Sequence, residues 1–397
     1  MTPAARLQAV IEILGTATAQ PLDRQLKAWF RDHRFAGSKD RRAITERIYA
    51  IFRAHAHLAH RMASDAPRAL IIAALLAEGE DPEALFTGGY GPAPLTGTER
   101  AAIAAAPSST PAWVDGEYPE WLEPELTRAF GDRLPEEMKA LQQRAPVDLR
   151  VNTLKARRDD VLTALRGDGF ECAPLEDLCD AIRCAAGAAL TAHPLYESGA
   201  FEIQDASAQR AVALCEAGPG MRVLDLAAGA GGKSLALAAA MQGQGEIVAC
   251  DIRGPALVEL ERRAVRAGAG NIRAYLLGMP LADEALAQPF DVVLLDAPCS
   301  GSGTWRRQPE LKWRLTSGRL AQLTAIQDDL LTRAAAATRP GGRLVYATCS
   351  ILPCENQDRV AAFLAANPAF GRGRPDFHDS PAATGSDGFY AAILIRN

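Results

Sequence analysis

Two cysteines close two apolar runs in this chain. "LLDAPCSGSG" (294–303) sets Asp296, Ala297, Pro298 and Cys299 in one turn, and "LVYATCS" (344–350) ends on Cys349. A cysteine at the end of a strand is either a small buried apolar residue or a reactive thiol. The eight cysteines (172, 179, 184, 215, 250, 299, 349, 354) include no C-x-x-C pair and no histidine at finger spacing. A metal site is therefore not expected, and a disulfide framework is not expected in a long chain read as having no secretion signal. Cys354 reads as helix packing, and His33, His55, His57 and His60 read as surface or helix-packing residues.

The elements that must position the thiols begin at residue 221. Strand and helix patterns alternate through "MRVLDLA", "EIVACD", "NIRAYLL", "FDVVLLDAP", "GRLVYATCS" and "GFYAAILIRN". That succession predicts a doubly wound α/β sheet with its ligand at the carboxyl ends of the central strands. The first turn is "VLDLAAGAGGKS" (223–234). A P-loop fails there because Ala227 stands where its first glycine is required. A dinucleotide fingerprint fails because Ser234 replaces its third glycine. An S-adenosylmethionine loop fits: Asp225 ends the strand and glycines let the backbone approach the ligand. Asp251 ends the next strand, where a carboxylate can accept both ribose hydroxyls.

A methyl donor beside a thiol narrows the chemistry. Enzymes that methylate an exocyclic amine commonly carry an aromatic residue where Cys299 stands. Carbon methylation of a pyrimidine needs a thiol instead, because C5 is too poor a nucleophile. A thiolate added to C6 makes the ring an enamine, and C5 can then take the methyl group.

"DLAAGAGGKS", "DAPCSGSG", "LVYATCS" and the late "DGFY" (387–390) resemble, in order and spacing, the Nol/Nop/Sun family of RNA cytosine-5 methyltransferases. "YPEWL", "LRVNTLK" and "GAFEIQDASAQ" look like that family's preceding module. The N-terminal "DRRAITERIYAIFR" is similar to the NusB-like domain of RsmB-type members. The resemblance implies that Cys349 is the nucleophile, that Cys299 assists release of the methylated base, and that Asp296 bonds the N3/N4 edge. It places Lys233 near cofactor and base. Ala227, Ala228, Gly229, Ala230, Gly231, Gly232, Lys233, Asp251 and Asp296 would hold S-adenosylmethionine. The family's loop usually reads "CAAPGGKT", so Ala227, Gly229 and Ala230 are departures. Met279 stands where the family has an acid that meets the adenine amine, leaving apolar packing or Asp283 for that contact.

The expected fold class is a Rossmann-like α/β methyltransferase domain (216–397), preceded by a small α+β RNA-binding module (113–215). An all-helical, NusB-like RNA-binding domain (1–112) comes first. Helical stripes run through Leu22, Leu26, Trp29 and Phe30, and through Ile44, Ile48, Ile51 and Phe52, the latter with Asp40 as its cap. A third helix ends at Gly79, and 88–111 is dense in Pro and Gly, a turn-rich connection. The N-terminal "MTPAARLQAVIEILG" has helical spacing around a glutamate and is expected to be a core helix, not a signal peptide. No apolar run approaches the ~18 residues of a membrane span. Net charge is −5, but residues 1–70 carry 12 Lys/Arg against 6 Asp/Glu, a basic segment suited to a polyanion. "GTWRRQPELKWRLTSGR" (303–319) is likewise expected to meet substrate phosphates. The partner is RNA, with ribosomal RNA first and tRNA second, and the chain is expected to be a cytoplasmic monomer without a membrane or metal partner. Two other readings stay open: an inactive RNA-binding or assembly factor on this scaffold, and a small-molecule or protein methyltransferase.

Overall fold

Apolar runs bounded by Gly and acidic residues become the strands of an eight-stranded sheet in the computed structural model, which describes residues 1–16, 21–105, 107 and 109–397. The strands are β5 (Arg222–Asp225), β6 (Glu246–Asp251), β7 (Ile272–Leu276), β8 (Phe290–Asp296), β9 (Thr338–Thr348), β10 (Phe370–Arg372), β11 (Phe377–Asp379) and β12 (Phe389–Arg396). Their order is β10-β12-β9-β8-β5-β6-β7, with β11 beside β12. The five strands β5 to β9 pair in parallel, and β12 runs antiparallel to β9. Continuous runs such as Val292–Leu295 are buried because helices cover both faces of such a sheet. This is the Rossmann-like architecture the alternation predicts, with the order reversing next to β5.

Ahead of it lies a four-stranded antiparallel sheet in the order β2-β3-β1-β4. It is built from β1 (Val147–Val151), β2 (Cys172–Pro174), β3 (Ala181–Cys184) and β4 (Phe201–Ile203), with the helix Arg158–Gly167. Here one expectation is corrected. Cys172 and Cys184 are joined by a disulfide and sit opposite one another in the β2–β3 register. Their partnership follows from that register, which a spacing of twelve residues does not disclose. Cys215 and Cys250 remain buried thiols, each pushed up to about 12 by burial.

Two compact units divide the chain. Met1–Thr127, Asp132–Gln142 and Trp305–Arg314 form one, and the two sheets lie in the other. The first unit is all-helical among its described residues, around a core that includes Ile44, Ile48, Ile51, Ile71 and Ile72. Asp40 is not the cap: the helix Ser38–Arg53 starts after Gly37, and Asp40 reaches back one turn to accept from the Gly37 N–H and from Arg6. The Pro/Gly-rich stretch 88–111 contains a helix, Gly97–Ala104, started by a Thr96/Glu99 capping box; Ala106 and Ser108 of that stretch lie outside the described residues. Among the described residues no helix is long and apolar enough to cross a membrane.

Candidate active site

Strands β5, β6, β8 and β9 all end on one edge of the sheet, so the residues that follow them face a common space. A cavity of about 1050 Å³ opens there, entirely within the second unit. Its lining includes Ala227, Ala228, Gly229, Ala230, Gly232, Lys233, Asp251, Asp296, Cys299 and Cys349. Ten of the eleven residues singled out from the sequence therefore meet in one place. Gly231 does not line the wall. It is in the left-handed region (φ 80°), and a Cβ there would sit 2.5 Å from Leu260 Cγ, so it shapes the turn from behind.

Asp251 braces the glycine loop. Its Oδ2 accepts from the Gly229 N–H at 2.8 Å and its Oδ1 from the Arg253 N–H at 2.8 Å. Burial raises its carboxyl, but the Arg253 guanidinium and these N–H groups win and hold it below the usual range. Asp225 does not line the cavity. It is buried beneath the loop, where its Oδ2 accepts from Ser234 Oγ at 2.6 Å and its Oδ1 has no hydrogen-bond partner among the described residues.

On the other side of the loop, Lys233 Nζ donates to Asp296 Oδ2 at 2.6 Å and lies 5.4 Å from the Phe389 ring centroid. Burial alone would lower this ammonium, yet the Asp296 carboxylate, with a further contribution from Cys349, holds it above the ordinary lysine range. Lys233 therefore stays cationic beside the thiols. Cys299 Sγ and Cys349 Sγ are 3.4 Å apart, within hydrogen-bond distance. That contact, then burial, then the charges of Cys349 and Glu355 hold the Cys299 thiol well above its usual range.

Sequence reasoning missed several wall and support residues. Gln204, within the quoted "GAFEIQDASAQ", lines the cavity, as do Ile252 and Leu277 beside Asp251. Neither Met279 nor Asp283 lines it, so of the two expectations for the adenine contact the apolar one has residues in place. The segment 303–319 also departs from expectation. Arg306 and Lys312 are buried, and Lys312 Nζ donates to the Glu117 carbonyl at 2.8 Å within the helical unit. Arg319 alone of its cations lines the cavity.

A parallel sheet with a glycine loop after its first strand, an acid after the second and thiols beyond β8 and β9 defines a Rossmann-like methyltransferase site. A family model described as "16S rRNA methyltransferase RsmB/F" matches residues 212–395, and one described as the ferredoxin-like domain of RsmF/B-like methyltransferases matches 118–191. Ribosomal RNA small subunit methyltransferase B of Klebsiella pneumoniae is 36% identical over 293 residues, covering 70% of this chain and 66% of that protein. The protein of the same name from Salmonella arizonae is 35% identical over 285 residues. The chain thus spans just under two thirds of the length of these curated relatives. Among solved structures, a methyltransferase homologue from Pyrococcus horikoshii is 26% identical with a TM-score of 0.63, over 73% of this chain and 100% of that one. The structure of PH0851 shares the fold, with 23% identity and a TM-score of 0.79 over 99% of each chain.

The chain belongs to the RsmB/F family of methyltransferases, within the Nol/Nop/Sun group. S-adenosylmethionine is the cofactor of this class, and the cavity suits it. A braced carboxylate at the end of β6 matches a ribose, Ile252 and Leu277 offer an apolar surface to a base, and the glycine loop leaves its backbone approachable.

Proposed function

We propose that this chain transfers a methyl group from S-adenosylmethionine to C5 of a cytosine in 16S ribosomal RNA, with Cys349 as nucleophile. One observation carries the reading: two thiols 3.4 Å apart share a cavity with the Lys233–Asp296 pair and the glycine loop. The names of the curated relatives favour the small-subunit RNA, and tRNA is the second candidate substrate.

The bound cofactor supplies an electrophilic methyl group, held by residues Ala227 to Lys233 and by Asp251. Cys349 Sγ adds to C6 of the cytosine while Asp296 bonds the N3/N4 edge and supports ring protonation. C5 then takes the methyl group. Loss of the C5 proton and expulsion of the Cys349 sulfur restore the aromatic ring. The C5 proton passes to solvent, and Cys299, 3.4 Å from Cys349, assists the departure of its sulfur. Proton transfers of this kind each contribute roughly 10²–10⁴-fold. The target base must leave its stack to reach the sulfur, which costs about a few kcal/mol.

The same reading divides the chain into a NusB-like RNA-binding domain (1–112), a small RNA-binding module (113–215) and the catalytic domain (216–397), acting as a cytoplasmic monomer. Cys349→Ala is expected to abolish methyl transfer to 16S RNA transcripts. Cys299→Ala is expected to accumulate a covalent enzyme–RNA adduct on denaturing gels. An adduct formed by the Cys349 variant and not by the Cys299 variant reverses the two roles, and undiminished methylation by both removes the two-thiol mechanism.

A further inference from the structure

Beneath the two thiols lies a carboxylate that neither the cofactor loop nor the methyl transfer uses. Glu355 is fully buried and joins the two cysteine-bearing loops. From the first loop, the residue after Cys299 donates twice: Ser300 N–H to Oε1 at 2.8 Å and Ser300 Oγ to Oε2 at 2.5 Å. From the second, the residue after Cys349 donates once, Ser350 Oγ to Oε2 at 2.6 Å. Gln327, on the helix Ser317–Ala337, completes the set by donating to Oε1 at 3.1 Å and to the Pro298 carbonyl at 2.9 Å. Four donors converge on one acceptor-only group, and each loop is held at the residue adjoining its thiol.

We propose that Glu355 is the positioning residue of the two-thiol site, fixing the loop of Cys299 against the loop of Cys349 at the spacing their successive steps require. The inference rests on the methylation reading above and names what sets its geometry. A buried carboxylate with four donors is also costly to remove, because the donors lose their partner inside the protein. Its negative charge adds to the influences that keep the Cys299 thiol protonated. Glu355→Gln preserves the shape. The amide oxygen can face the Ser300 N–H and Gln327, while the two serine hydroxyls rotate to accept from the amide nitrogen. Glu355→Ala preserves none of it.

The spacing can be read without RNA. Phenylarsine oxide condenses with two neighbouring thiols, forming two As–S bonds and releasing water, and mass spectrometry locates the bridged pair. Wild type and Glu355→Gln are expected to bridge Cys299 and Cys349 with similar affinity. Folded Glu355→Ala is expected to bind about tenfold or more weakly, since displacing a reacting group by roughly 1 Å has effects of that size or larger. It should also accumulate enzyme–RNA adduct, with Glu355→Gln restoring release. A folded Glu355→Ala that captures the arsenical and releases RNA as wild type does overturns the proposal. Where Glu355→Ala does not fold, Ser350→Ala decides: weaker capture supports the clamp and unchanged capture overturns it. If capture behaves as expected while Cys349→Ala still methylates RNA, the clamp stands and the reading of Cys349 as nucleophile falls.

Discussion

At the scale of single residues, the site mixes charges that are satisfied with one that is not. Lys233 and Asp296 neutralise each other, and Asp251 has its N–H partners. Asp225 has Oδ1 buried with no hydrogen-bond partner among the described residues, and burial pushes its carboxyl up to about 6. Ser234 and Lys233 oppose that rise, while the Asp296 and Asp251 charges add to it. The unfolded value is about 3.9. Between those values the folded state binds more protons, so this group favours folding as pH falls through 6 and costs stability above it. The full cost at pH 8 is on the order of 3 kcal/mol. Asp225→Asn keeps an acceptor for Ser234 and removes the charge. Its melting temperature is expected to exceed that of wild type at pH 8, with the advantage shrinking toward pH 5. A difference independent of pH would show that the carboxylate is not the source. The sequence marks Asp225 as the acid ending the first strand. It does not reveal that the side chain turns inward, because that depends on where helix and sheet close over it.

At the scale of elements, the strands and the turns after them were the most legible part. Each is a short apolar run closed by Gly or an acid, and parallel strands need little more than that. Contacts between distant turns were not legible. Nothing in "ILPCEN" singles out Glu355, whose partners Ser300 and Gln327 come from elsewhere in the chain, and nothing pairs Cys172 with Cys184. "DGFY" is an instructive middle case, since its composition signals a turn but not its partner. Gly388 packs directly on Gly303: the Gly388 N–H donates to the Gly303 carbonyl at 2.9 Å, and the Gly303 N–H donates to the Cys349 carbonyl at 2.9 Å. A Cβ on Gly388 would lie 2.4 Å from Ile351 Cγ2 and 2.7 Å from Gly303 Cα. Gly388→Ala must therefore displace Gly303, at the end of the Cys299 turn, or Ile351 of the Cys349 loop. Overpacking of this kind costs about 1–3 kcal/mol. Methyl transfer is expected to fall further than that loss of stability explains, measured at a temperature where circular dichroism shows the variant folded. Activity that merely tracks the folded fraction would mean the two loops tolerate the displacement.

At the scale of the whole molecule, the question is which cations can meet a polyanion when the net charge is −5. Counting basic residues along 303–319 suggested a phosphate-binding run, and the structure sorts them by environment. Lys312 lies with its Nζ 5.9 Å from the Trp305 ring centroid and 5.4 Å from that of Trp313, donating to the Glu117 carbonyl. Burial pulls its ammonium down to about 8, the signature of a packing residue and not of a solvated cation. A linear stretch of Lys and Arg cannot announce this, because alternate residues of a turn and short helix face opposite ways. Arg319 is exposed, bonds Gln322 at 3.3 Å and stands on the wall of the thiol cavity. Each phosphate contact contributes about 0.7–0.9 to the slope of log affinity against log salt. Arg319→Ala is accordingly expected to weaken RNA binding and reduce that slope by about one contact's share. Lys312→Ala should leave the slope unchanged and lower the melting temperature, since it strands a buried carbonyl and empties the space between two indoles. Filter binding across a salt series separates the two. A slope lost with Lys312 and kept without Arg319 would place the RNA on the helical unit's inserted segment instead of at the cavity wall.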